Sequence, residues 1–158
     1  MKVEKEAAYA ALLSELSVLL EEEVDIIACM AIVVAELHSK FPFYLWTGFY
    51  RVIGKDELVL GPYQGTPGCF RIQFGRGVCG ASAKTKKTIV VPDVHKYPGH
   101  ITCDTRSNSE IVVPVLNNSG DVIAVLDIDS EDFDAFGKED QKGLEEIVKL
   151  LKEKVIIR

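Results

Sequence analysis

Three of the four cysteines in this chain, Cys69, Cys79 and Cys103, fall within one irregular, glycine-rich stretch. A loop thiol within reach of others is a candidate nucleophile and exchange partner, and His100 or a nearby helix start would favour the thiolate of Cys103. Downstream, Asp127 and Asp129 stand two apart in a run of strand-forming residues. On a strand they point to one side, about 6–7 Å apart, together with Val125. Carboxylates so placed repel one another and resist desolvation, which a fold has no evident use for unless the strand end emerges into water. The chemical reading is a cationic or protonatable ligand held between them. Glu110, at the head of the neighbouring strand, would reach the same face. Three acids there would hold an amino group and keep one carboxyl protonated, ready to donate. Trp46, Gly48 and Tyr50 alternate on another strand; they are either ordinary core or the two walls of an apolar slot left open by the glycine.

Two further patterns carry less. Gly75-Arg76-Gly77-Val78-Cys79-Gly80 fits G-x-G-x-x-G, but Gly80 lies too close to Thr88 for the crossover of ~10–12 residues that a dinucleotide fold requires. What remains is either a tight strand-to-helix turn or a helix start that accepts an anion such as a carboxylate. His95 and His100 beside three cysteines would suit zinc, yet acids aimed at the same pocket do not belong in a closed sulfur site, so no metal is expected. Cys29, inside an apolar run, reads as a small core residue.

These residues need a frame to position them. Tyr9, Leu12, Leu13, Leu16 and Leu20 recur at helical spacing, which places a first helix over Glu4 to Leu20. A second runs from the Glu21–Glu23 charges to about Leu37, before Pro42. From Phe43 the period changes to two. Strands are expected over Phe43–Ile53, Glu57–Gln64, Cys69–Phe74, Thr88–Val91, Glu110–Leu116 and Asp121–Ser130, with a short helix over Val78–Thr85. The long segment Pro92–Ser109 is of a length that is usually functional. A last helix spans about Lys138 to Lys154. Helices at both ends with hairpins between them predict one α+β domain over residues 1–158. It would hold a mostly antiparallel sheet of about six strands, terminal helices on one face and loops on the other.

The 158 residues carry 18 Lys plus Arg against 24 Asp plus Glu, a net charge of −6. That balance disfavours phosphate backbones and anionic lipid, so neither nucleic acid nor membrane is an expected partner. The longest apolar run, Ile26 to Ala35, is about half of the ~20 residues a bilayer span needs. The charged start, Met1 to Glu6, lacks the apolar core of a signal peptide, and a cytoplasmic location is expected. Thiols in that compartment stay reduced unless they have a task.

Taken in order, Tyr44-Leu45-Trp46-Thr47-Gly48-Phe49-Tyr50, Gly61-Pro62-Tyr63-Gln64-Gly65 and Phe74-Gly75-Arg76-Gly77-Val78-Cys79-Gly80 resemble the free methionine-(R)-sulfoxide reductases. So do Val91-Pro92-Asp93-Val94-His95, Pro98-Gly99-His100-Ile101-Thr102-Cys103-Asp104, Ser107 to Pro114 and Leu126-Asp127-Ile128-Asp129-Ser130. Members of this family are single GAF domains. The resemblance implies that Cys103 is the catalytic cysteine, Cys79 its principal resolving partner and Cys69 a third cysteine that joins disulfide exchange. It implies that Glu110, Asp127 and Asp129 bind substrate and supply the acid, that Trp46 and Tyr50 wall the pocket, and that no cofactor is needed. The implied reaction reduces free L-methionine-(R)-sulfoxide through a cysteine sulfenic acid and a disulfide, recycled by thioredoxin or a similar dithiol. The apolar terminal helices would suit a homodimer. The competing readings are a GAF sensory module for a cyclic nucleotide, haem or bilin, and a thiol redox sensor. Three acids in the pocket would repel a nucleotide phosphate.

Overall fold

The structure, a computed structural model, describes residues 2–156. Met1, Ile157 and Arg158, which the expected 1–158 domain includes, lie outside the described residues. Helix α1 covers Lys2–Leu19 and α2 Ile26–Lys40. The second helix starts later than its acidic run suggests. Asp25 is its N-cap, its carboxylate accepting from the Ala28 N–H at 2.9 Å, and Glu21–Glu23 stay in the connecting turn. Strand β1 is Trp46–Ile53, shorter than the expected Phe43–Ile53. Phe43 and Tyr44 fold instead into an aromatic cluster with Phe41 and Phe136, and the Phe41 and Tyr44 rings stack at 5.0 Å.

Strand β2 (Glu57–Gln64) returns antiparallel to β1 through a turn at Gly54, whose φ of +60° suits glycine. Strand β3 is only Arg71–Gln73, so Cys69 and Phe70 lie in the loop before it. Helix α3 (Gly77–Thr85), β4 (Ile89–Val91), β5 (Ser109–Leu116), β6 (Val122–Ser130) and α4 (Lys138–Leu151) follow, and α4 runs on into a π turn over Lys152–Ile156. The sheet order is β3-β2-β1-β6-β5-β4, with every neighbouring pair antiparallel.

Period-two alternation gives each face its own core. Phe49, Ile111, Val113, Leu126 and Ile128 meet Leu12, Leu16, Leu37 and Leu144 from α1, α2 and α4. The opposite residues, Tyr50, Leu58, Val112 and Val125, meet Val78, Cys79 and Ala83 from α3. The terminal helices thus share one face as expected, and the short α3 lies among the loops of the other, covering the central strands. No helix among the described residues is long and apolar enough to cross a membrane.

Candidate active site

The register of the three middle strands assembles the acids. Across β1, β6 and β5, Trp46 pairs with Asp129 and Asp129 with Glu110; one step along, Gly48 pairs with Asp127 and Asp127 with Val112. All of these positions face α3 rather than the long helices. Asp127 is 6% exposed and Glu110 5%, so the strand does not release its acids into solvent there; Asp129, nearer the rim, is half-buried. The thiol of Cys79, in the first turn of α3, closes the floor. One donor atom each from Cys79, Glu110 and Asp127 lie within 4.8 Å of one another.

Crowding and burial set the protonation of this cluster. Burial first, then the charge of Asp129, pushes Glu110 up to about 8, and a hydrogen bond from Asp127 partly opposes the rise. Burial also drives Asp127 well above the carboxylate range, with the charge of Glu110 and their hydrogen bond adding to it. Asp129 is raised by burial and by Asp127. Protons thus reside on the Glu110–Asp127 pair through neutral pH. The same burial raises the Cys79 thiol well above its usual range and keeps it neutral. Three donors this close could share a cation only by losing protons their surroundings favour, so the set fits proton transfer better than metal binding. One atom in it has no partner: Asp127 Oδ1 is buried and accepts no hydrogen bond.

The pocket above the acids is lined by Trp46, Tyr50, Gly68, Arg76, Cys103 and the acids themselves, among others. Gly48 does not leave an open slot between the rings. A Cβ there would land inside the Trp46 indole and against Tyr63, so the missing side chain lets the indole lie flat, stacked on Tyr50 at 5.8 Å and Tyr63 at 5.4 Å. Gly68 lies against the same rings: a Cβ there would be 3.0 Å from both Trp46 and the Tyr50 hydroxyl. The glycines of the G-x-G-x-x-G run answer mainly to the turn. Gly75 (φ +82°) and Gly77 (φ +59°) take the left-handed region, and Gly80 packs against the Gln73 carbonyl. The turn nevertheless aims the start of α3, with Arg76 as N-cap, at the pocket, and the first N–H groups of a helix have no intrahelical acceptor.

Two loops close the mouth. Cys69, before β3, is joined to exposed Cys103 in a disulfide. The Thr66 hydroxyl donates to Asp104 at 2.9 Å, and the Trp46 indole N–H donates to the Thr66 carbonyl at 2.8 Å. Asp104 in turn accepts from Arg106 at 2.7 Å, and that pairing holds its carboxyl below the usual range. The bond joins Cys103 to the cysteine that the resemblance gives as a third member of the exchange. Cys79, expected as the principal partner of Cys103, is a free buried thiol hydrogen-bonded to Asp127. Cys29 is free and buried, as a core residue should be.

His100, expected beside the thiolate, instead places Nε2 3.2 Å from Glu110 Oε2. His95 turns away to Asp93 at 2.8 Å and to the Phe133 ring. Sequence reading missed Ser107, a buried hydroxyl that donates to Asp129 at 3.0 Å, and Thr66. Nothing in their residue types marks them; their position flanking cysteines was the only signal.

Residues 11–152 match the model of the GAF domain. Over 148 residues the chain is 43% identical to a free methionine-R-sulfoxide reductase of Escherichia coli, spanning 94% of this chain and 88% of that protein. Its fold superposes on a free methionine-R-sulfoxide reductase from Neisseria meningitidis, solved in complex with its substrate, with a TM-score of 0.91 and 43% identity over 95% of this chain and 89% of the other. The chain belongs to the free methionine-R-sulfoxide reductase family. A GAF domain-containing protein of Dictyostelium discoideum shares 48% identity over 95% of this chain and 94% of its own. In this family member one pocket is lined by Cys103 at its mouth, Trp46 and Tyr50 on its wall, and Cys79 with the acids at its base; Cys69 joins it through its bond to Cys103.

Proposed function

We propose that this protein reduces free L-methionine-(R)-sulfoxide to L-methionine. The observation that carries the reading is the meeting, in one small pocket, of an accessible sulfur pair with buried carboxyls that keep their protons at neutral pH. A sulfoxide sulfur is a weak electrophile until its oxygen receives a proton, and Glu110 is the donor: its proton is present at pH 7 yet transferable. The Cys103 thiolate attacks the sulfur, the oxygen passes to Cys103 as a sulfenic acid, and methionine leaves. The Cys69 thiol then displaces water from that sulfenic acid to give the Cys69–Cys103 disulfide. An external dithiol reduces this disulfide by exchange, so each turnover consumes one sulfoxide and two thiol hydrogens and yields methionine, water and one disulfide.

The orphan Asp127 Oδ1 requires a hydrogen-bond donor, and the α-ammonium of a free amino acid supplies one, with Asp129 alongside. The start of α3 and Arg76 receive the α-carboxylate. Trp46 packs on the methyl end. Recognition of both backbone charges excludes a methionine sulfoxide inside a peptide. Thioredoxin is the expected dithiol and the cytoplasm the expected location. The exposed Val18, Leu19 and Val24 around the α1–α2 turn form the surface on which a second copy would pair, testable by light scattering.

The deciding experiment is a thioredoxin-coupled assay of both sulfoxide epimers, free and within a peptide. Turnover confined to the free (R) epimer is expected. Equal turnover of the (S) epimer or of the peptide, or no turnover at all, overturns the reading.

A further inference from the structure

The loop that carries Cys103 also carries a hydrogen-bond donor for each of two acids. Three residues before Cys103, His100 meets Glu110; four residues after it, Ser107 meets Asp129. We propose that His100 is a positioning residue, which holds Glu110 in the orientation that delivers its proton to a sulfur poised over Cys103. The inference rests on the reductase reading given above, and it adds a residue that acts through the acid.

The geometry supports a neutral donor rather than an ion pair. The His100 side chain is only 12% exposed and that of Glu110 6%. Burial lowers the imidazole below its ordinary range, so at neutral pH the ring is uncharged. Nε2–H then donates to Glu110 Oε2, and Nδ1 carries no proton. The backbone fixes the ring's approach: Gly99 takes a φ of +73°, and the His100 N–H closes a turn onto the Tyr97 carbonyl at 3.2 Å. Glu110 has several other groups around it: Asp127 and Asp129 on β6, Cys79 on α3, Tyr50 on β1 and Tyr97 in the loop. Asp127 competes for the Glu110 carboxyl through its own hydrogen bond. Without the imidazole, Oε2 would lose the bond that opposes that pull, and the carboxyl would turn toward β6 and away from the pocket mouth. The contact is present while Cys103 is bonded to Cys69, so the acid is held ready before the disulfide is reduced.

Two variants separate this role from packing. His100→Gln keeps an N–H near the place of Nε2 and cannot titrate; His100→Leu keeps bulk and removes the donor. Both are assayed with free methionine-(R)-sulfoxide and a small dithiol, across pH, with the wild type as reference. His100→Leu is expected to lower kcat about 10–100-fold with KM within a few-fold. Its alkaline limb should move to higher pH, because a donor that favours the charged carboxylate has been lost. His100→Gln should stay within about three-fold of wild type with an unmoved limb. A second readout needs no turnover. In the infrared, the buried carboxylic C=O band should rise in frequency in His100→Leu and hold its place in His100→Gln. Wild-type kcat and an unmoved band in His100→Leu, or a Gln variant as impaired as Leu at equal thermal stability, overturn the proposal. A wild type inactive on the sulfoxide overturns the functional reading instead, and the infrared comparison still decides the contact.

Discussion

At the scale of single residues, accessibility sorts the three reactive thiols. Cys103 is exposed, Cys69 is half-buried beside it, and Cys79 is enclosed between its own helix α3 and the sheet, with its thiol pKa raised by burial. Only thiolates exchange, and burial that keeps the Cys79 thiol protonated counts against it as the resolving group. Reduced Cys69→Ser given one equivalent of sulfoxide should release one methionine and hold a sulfenic acid on Cys103, seen by trapping and mass spectrometry. Cys79→Ser should still form the Cys69–Cys103 disulfide. Peptide mapping that finds Cys79 bonded to Cys103 after turnover would return the resolving role to Cys79. The acid makes a separate claim. Glu110 is raised to about 8, so its proton is present below that pH and lost above it. Activity should therefore fall as pH rises through about 8, and Glu110→Gln should lose about 10²–10⁴-fold in kcat. The residue types were legible in the sequence because cysteines, paired acids and aromatics are chemically conspicuous. The cysteine pairing was not, since it depends on how far each loop reaches and on which thiol α3 turns toward the sheet.

At the scale of elements, alternation along β1 and β6 told which side chains share a face, and the register confirms it by setting Trp46 opposite Asp129 and Gly48 opposite Asp127. A period of two says nothing about what covers that face. The placement of α3 depends on long-range packing of Val78 and Ala83 against β5 and β6, and that is why the short helix is legible in the sequence but the face it covers is not. The same limit hid the role of Gly48. Its bare Cα looks like space in a sequence, but in the fold the Trp46 indole occupies that space. Gly48→Ala should then cost about 1–3 kcal/mol through overpacking. Trp46 is the chain's only tryptophan, so the displaced ring should report directly as a shifted emission maximum. An unchanged spectrum with unchanged stability would mean that the indole does not rest on Gly48.

At the scale of the whole molecule, the acid cluster sets function against stability. Buried carboxyls whose pKa rises on folding bind more protons in the native than in the unfolded chain between about pH 4 and their folded pKa. Stability is therefore fullest below about pH 4 with respect to these groups and declines as pH rises toward about 8, where Glu110 ionises in the fold. Other carboxylates oppose this at low pH: Asp104, lowered by Arg106, gives its contribution only when ionised. A difference between wild type and a cluster variant isolates the cluster's share, because Asp104 is common to both. Asp127→Asn keeps the shape and hydrogen-bonding capacity of a neutral acid and cannot ionise in the unfolded chain. It should match wild type near pH 4 and exceed it by about 1–3 kcal/mol at neutral pH, a Tm gain of about 2–4 °C per kcal/mol. It should also lose most of its activity, because Asn cannot release a proton to become the counter-ion of the substrate ammonium on binding. Thermal melts of both proteins from pH 4 to 8 check the slope. A variant less stable than wild type at pH 7 would mean that the carboxyls hold the sheet together, and that their crowding is a structural requirement rather than a strain retained for catalysis.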